Sequence, residues 1–159
     1  MTRTPDGHVG LRDPLEAVHV MTLLQRLIAE AGLVLQIGTD FGEFNRRVLA
    51  LRGRRCGPFH DPDVSNLKDG RGFWMALLAA EGQTVAVQAF RFDLLGGSLA
   101  DWAPSFTIGL YMRRNELLVP SHPSPPANSI AERIGGRLVY HGELWLDPEH
   151  RGKGILVAF

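Results

Sequence analysis

The stretch that most constrains how this chain can fold is its last twenty-three residues, RLVYHGELWLDPEHRGKGILVAF, from Arg137 to Phe159. Arg137 to Leu146 has the composition of an apolar strand and closes on Leu144-Trp145-Leu146. A polar turn follows from Asp147 to His150, and then Arg151-Gly152-Lys153-Gly154 opens onto a second apolar run starting at Ile155. A strand that feeds a glycine-rich turn and a helix start is suited to receiving an anion. The first N–H groups of a helix have no partner inside it and lie at the positive end of its dipole. Gly152 and Gly154 let the backbone approach a ligand with no Cβ in the way, while Arg151 and Lys153 add positive charge. Taken alone, R-G-x-G also describes a plain strand-to-helix turn.

Side chains alternate along a regular strand. That rule places Leu138, Tyr140, Gly142, Leu144 and Leu146 on one face, with Val139, His141, Glu143 and Trp145 on the other. Upstream, Pro14 stands at a helix start after Asp13, and Ala17, Val20, Leu24, Leu27, Ile28 and Ala31 recur at helical spacing before Gly32. The pattern predicts an amphipathic helix over 14–31, preceded by a flexible arm over 1–13. A short strand is expected over Leu33 to Ile37. A second helix is expected from the capping pair Asp40 and Glu43, through Phe41, Phe44, Val48 and Leu51, to Gly53. The arginines at 46, 47, 52, 54 and 55 read as a solvated helix end or as an anion site.

Residues 56–71 are rich in Pro, Gly and Asp and read as a loop. Phe73 to Ala80 and Thr84 to Phe92 flank Glu81-Gly82-Gln83 and predict a β-hairpin. The segment 93–136 holds Trp102, Phe106, Tyr111 and a Pro-rich loop. It reads as an insertion that either lines a substrate pocket or covers a sheet edge.

With 159 residues, 45% of them apolar, the chain suits one domain, 14–159, with its own core. Seventeen basic side chains, 15 of them Arg, balance 17 acidic ones, so nothing points to nucleic acid or to an anionic membrane surface. The single cysteine, Cys56, excludes an intrachain disulfide framework and fits a reducing, cytoplasmic setting. The six histidines show no metal-ligand spacing, so no metal is expected. No secretory leader or membrane-spanning run is legible.

The segment LWLDPEHRGKGI resembles the acyl-CoA-binding motif of the GNAT acyltransferase superfamily. That motif is an apolar strand end, a short turn often containing Pro, and Q/R-x-x-G-x-G/A at the start of a helix. Arg151, Gly152, Lys153 and Gly154 fill its first four positions, whereas Leu156 stands where the family has Gly or Ala. The resemblance implies an α+β fold, with N-terminal helices followed by a mainly antiparallel sheet. It also implies acetyl-CoA as acyl donor and an amine as acceptor, either a small molecule or a peptide. The backbone of Leu144, Trp145 and Leu146 would pair with the pantetheine arm. Arg151, Gly152, Lys153, Gly154 and Ile155 would hold the pyrophosphate.

The implied chemistry is direct transfer. A base takes a proton from the ammonium, the neutral amine attacks the thioester carbonyl, and an acid protonates the departing thiolate. The family often places its base two or four residues before the pantetheine tripeptide, here Gly142 and Tyr140. Glycine cannot serve, and a tyrosine is a poor base unless its pKa falls from about 10. Glu143 and His141 suit the chemistry, but the pleat aims them at the opposite face unless a bulge re-aims one. Glu143 and Tyr140 are the catalytic candidates; the alternatives are that Glu143 and His141 are ordinary polar partners on a half-exposed face, and that the base acts through water or comes from elsewhere.

In this family the motif lies near the middle of the domain, whereas here it is followed only by residues to Phe159. The expectation is the N-terminal part of a GNAT-like domain, inactive in this truncated form. The exposed edge of the last strand would be an association hazard, and a homodimer is among the partners considered. The alternatives are a non-catalytic acyl-CoA-binding or interaction module on the same fold, and an unrelated α+β domain.

Overall fold

A computed structural model describes residues 14–65, 67, 70–101, 130–154 and 159. The architecture is α+β. Helix α1 (Pro14–Glu30), strand β1 (Val34–Gly38), helix α2 (Phe41–Arg52), β2 (Gly72–Leu78), β3 (Thr84–Ser98) and β4 (Gly135–Leu146) follow in order, with a 3-10 turn at Pro148–His150. The four strands form one sheet in the order β1-β2-β3-β4, and every neighbouring pair is antiparallel. Among the described residues, no helix is long and apolar enough to cross a membrane.

The expected helices and hairpin are present. Asp40 caps α2 by accepting from Gly42 N–H at 2.8 Å and Glu43 N–H at 3.0 Å, and Gly53 N–H returns to the Leu49 carbonyl. The hairpin turn is closed by Ala79 N–H to the Gln83 carbonyl at 2.8 Å. Two helical faces behave differently, however. In α2, Phe41, Phe44 and Val48 all pack into the core. In α1 only Ile28 does; Leu15, Val18, Val20, Leu23 and Leu27 stay exposed. The α1 periodicity is thus real, but its apolar side chains are largely exposed.

The core lies on both faces of the sheet. Under α2, Phe41, Phe44, Val48, Cys56, Trp74, Ala76, Val87 and Ala89 pack together, with Trp145 against them. On the opposite face, Ile28, Leu33, Leu77, Val85, Ala86 and Leu146 form a second cluster, with Phe159 against it.

The segment expected as a long insertion is shorter than its sequence suggested. β3 runs past Phe92 to Ser98, and β4 starts at Gly135, with Leu94 facing Arg137 and Ser98 facing Gly135. The two ends of that segment are therefore an extension of the β3–β4 hairpin. Trp102, Phe106, Tyr111 and the Pro-rich loop lie outside the described residues.

Candidate functional site

The ladder between β3 and β4 shifts register at two points, between Leu95 and Ser98 at its far end and between Val87 and Ala89 beside the groove. Val87 faces Trp145 and Ala89 faces Gly142, so Glu143 and Leu144 together oppose Gln88 alone. This is a β-bulge. Its first residue, Glu143, has φ of 59°, a left-handed backbone that non-glycine residues adopt only at some cost.

The bulge corrects the alternation expected from a regular strand. Tyr140 and Gly142 face the α2 side: Tyr140 stacks on Phe59 at 4.2 Å, and a Cβ on Gly142 would come within 2.9 Å of the His60 ring. Glu143 also turns to that side. One residue is then skipped, so Trp145 joins the core under α2 and Leu146 joins the opposite cluster. Leu146 does not share a face with Tyr140, nor Trp145 with His141, which stacks on Phe90 at 4.8 Å on the far face.

The bulge also decides which backbone groups face away from the sheet. Asp147 N–H donates to the Val85 carbonyl at 2.8 Å. Antiparallel hydrogen bonding alternates residue by residue, so Trp145 points its N–H and C=O at β3. The Leu144 carbonyl and both polar groups of Leu146 then point outward. β4 is the edge strand of the described sheet, so no described strand meets them. Arg151 occupies one: its guanidinium Nε and Nη2 both approach the Leu146 carbonyl at 3.3 Å. Beside this edge lies a groove of ≈ 610 Å³ lined by Arg52, Arg54, Glu143, Leu144 and Trp145.

Downstream, Asp147 caps the short 3-10 turn by accepting from Glu149 N–H at 2.8 Å, and Arg151 N–H reaches the Pro148 carbonyl at 3.3 Å. Beyond that point, no described residue accepts from the N–H groups of Gly152, Lys153 or Gly154, all of which are exposed. Gly152 and Gly154 have φ of 74° and 72°. Residues 151–154 are therefore a turn and not the helix start expected at about Gly152, and Ile155 lies outside the described residues.

Glu143 sits in a clamp. Arg52 Nη1 donates to its Oε2 at 2.6 Å, Arg52 Nη2 donates to its main-chain carbonyl at 2.7 Å, and Gly57 N–H donates to its Oε1 at 2.6 Å. The arginine cluster is therefore not simply a solvated helix end. Arg47 pairs with Glu43 and lies over the Trp74 ring, Arg52 holds Glu143, and Arg55 grips Asp61 and Asp63. Burial alone would raise the Asp61 carboxyl. Hydrogen bonds from Arg55, the Asp63 N–H and Asn45 outweigh that and hold it below the usual carboxylate range.

Loop 56–65 packs against β4 at the bulge, through Gly57 on Glu143 and His60 beside Gly142. Burial lowers the His60 imidazole to about 4, opposed by the charge of Glu143. His60 is neutral at physiological pH, and its Nε2 has no partner among the described residues. Cys56 is buried, and desolvation pushes its thiol up to about 12, so no thiolate nucleophile is on offer. Among the described residues, no group of three His, Cys, Asp or Glu is placed to hold a metal ion.

Of the two catalytic candidates, Tyr140 is 37% exposed and stacked, and Glu143 is held by three donors. Gly57 and His60 carry no mark of the site in the sequence, and Arg52 stands out there only as one of five clustered arginines. Arg52 lies 91 residues from Glu143, and no local pattern announces a pairing at that separation.

Compared with known proteins, the chain matches no family model, no curated sequence and no solved structure.

Proposed function

We propose that this chain carries an acyl-CoA-binding site of the GNAT type, and that the activity of such a domain is transfer of an acetyl group from acetyl-CoA to an amine. One observation carries the reading. An outward-facing edge at Leu144 and Leu146 runs, within a few residues, into a turn whose Gly152, Lys153 and Gly154 are exposed and whose amides have no acceptor among the described residues.

The donor set fits the ligand. A pantetheine arm is an amide chain and needs alternating acceptors and donors along an edge, which the Leu144 carbonyl and Leu146 N–H supply. A diphosphate needs convergent N–H groups and positive charge, which the turn and Lys153 supply. Bound acetyl-CoA would supply the acetyl group as an activated thioester. The protein's part is to hold it along β4 and to present the amine beside the groove at Arg54 and Trp145.

One observation favours a second reading, coenzyme binding without turnover. A base must be free to take a proton. The Glu143 carboxylate is engaged on both oxygens, and Gly142 stands at a position where a base is expected.

The test is a titration of CoA into ¹⁵N-labelled protein. Shifts are expected at Leu144, Leu146, Gly152, Lys153 and Gly154; absence of shifts at millimolar CoA rejects the acyl-CoA reading. Thiol release from acetyl-CoA across a panel of amines then separates the enzyme from the binding module.

A further inference from the structure

The convergence of Arg52, Gly57 and Glu143 is the most heavily bonded polar centre at the groove, and coenzyme binding alone does not account for it. An ordinary ion pair engages a carboxylate. Here one prong of the Arg52 fork holds the Glu143 carboxylate and the other holds the main-chain carbonyl of the same residue, at 2.6 Å and 2.7 Å. Gly57 N–H takes the remaining carboxylate oxygen at 2.6 Å, and a Cβ on Gly57 would stand 3.0 Å from that oxygen. Among the described residues, Glu143 is the one non-glycine residue with positive φ. The three donors thus converge on the single strained residue of the sheet.

The consequence of that strained residue is a register change. Without the bulge, the pairing of Ala89 with Gly142 would continue, and Val87 would face Leu144 instead of Trp145. A one-residue slip exchanges the faces of every later side chain. Leu144 would enter the core under α2 and Trp145 would leave it. The backbone groups pointing outward would become those of Trp145 instead of Leu144 and Leu146.

We propose that Arg52 is a positioning residue: acting through Glu143, its guanidinium fixes the bulge and so selects which backbone groups β4 offers to a ligand. The identity of that ligand rests on the acyl-CoA reading above; the register claim does not. Among the described residues, the Arg52 guanidinium donates to Glu143 and not to the Leu144 carbonyl, so its influence on binding is indirect.

Two variants test this. Arg52→Lys keeps the charge near Glu143 but replaces a planar fork with a point charge that cannot hold carboxylate and carbonyl together. The double variant Arg52→Gln/Glu143→Gln removes both charges and leaves neither unpaired. The readouts are CoA affinity by calorimetry, melting temperature, and cross-strand NOEs between Val87 and Trp145.

The expected result is CoA binding weakened by about tenfold or more in Arg52→Lys, the scale of one lost hydrogen bond. It should come with loss of the Val87–Trp145 NOEs and with amide shifts centred on residues 142–146. Wild-type affinity with an intact Val87–Trp145 register in both variants overturns the proposal. If the wild-type protein itself does not bind CoA, the acyl-CoA reading fails and the NOEs decide alone. Loss of the Val87–Trp145 contact in the variants then upholds the register claim, and its retention overturns it.

Discussion

Two parts of the candidate site adopt left-handed backbone, and they are held in opposite ways. At the bulge, Glu143 has φ of 59° and is fixed by three hydrogen bonds from α2 and the loop after it. At the turn, Gly152 and Gly154 have φ of 74° and 72°, are exposed, and no described residue accepts from their N–H groups. The bulge spends tertiary contacts to impose a conformation its side chain resists. The turn uses residues with no such resistance, and among the described residues its donors have no acceptor. A site built this way joins a rigid edge, set by side chains, to a receptive turn, set by glycine placement.

The difference is sharpest when each part is disturbed. The side chains of Arg52 and Glu143 are 11% and 9% exposed. Removing one partner of a shielded pair leaves the other desolvated and unpaired, a loss of about 3–5 kcal/mol. Arg52→Met is expected to lower the unfolding free energy in urea by that amount. A loss under about 1 kcal/mol, typical of an exposed pair, would mean the clamp does not hold the bulge.

A second effect, somewhat smaller, reaches the same region through His60. Its folded value of about 4 lies below the ordinary 6.5 because burial disfavours the cation. Above pH 6.5 the imidazole is neutral in both states and no stability is lost. As pH falls from 6.5 towards 4, the unfolded chain takes up a proton that the folded protein refuses, and stability declines by up to about 3 kcal/mol. Asp61, held below its usual range, adds its own loss only at lower pH. His60→Asn should flatten the decline between pH 6.5 and 4 in urea titrations. Glu143→Gln should extend it below pH 4, because the Glu143 charge is what supports the cation. An unchanged slope in both variants would remove His60 from the account.

How much of this could be read in the sequence follows from the range of the forces involved. The turn was legible because glycine placement is a local signal, and Arg151-Gly152-Lys153-Gly154 stands in one window. The caps and apolar face of α2 were legible for the same reason. The bulge was not: Glu143 carries no residue-level mark of a left-handed backbone, and its conformation is fixed by Arg52 and Gly57, which lie 91 and 86 residues away. Strict alternation therefore misassigned Trp145 and Leu146, although the composition of the strand was read correctly. The β3–β4 extension was missed because Gly96, Gly97, Gly135 and Gly136 look like loop residues, yet they lie within or beside paired strand. The α1 stripe shows the converse: a clear period, with a burial that local pattern cannot guarantee.

The smallest effect belongs to the turn. A Cβ at Gly154 would meet nothing within 4 Å, so Gly154→Ala costs only its backbone preference, about 1–2 kcal/mol at a left-handed residue. Asparagine visits that conformation more readily, so Gly154→Asn should cost less than Gly154→Ala in the same urea titration. The comparison with the bulge also makes a prediction about ligand. Because the turn has no clamp, Gly154→Ala can relax by changing φ, and relaxation rotates the Lys153 and Gly154 N–H groups away from a common anion. CoA affinity should therefore fall more than stability does, whereas Arg52→Met should cost stability foremost. If Gly154→Ala left CoA affinity unchanged while Gly154→Asn and Gly154→Ala were equally stable, the turn would be an ordinary connection, and the edge at Leu144 and Leu146 would have to bind the coenzyme alone.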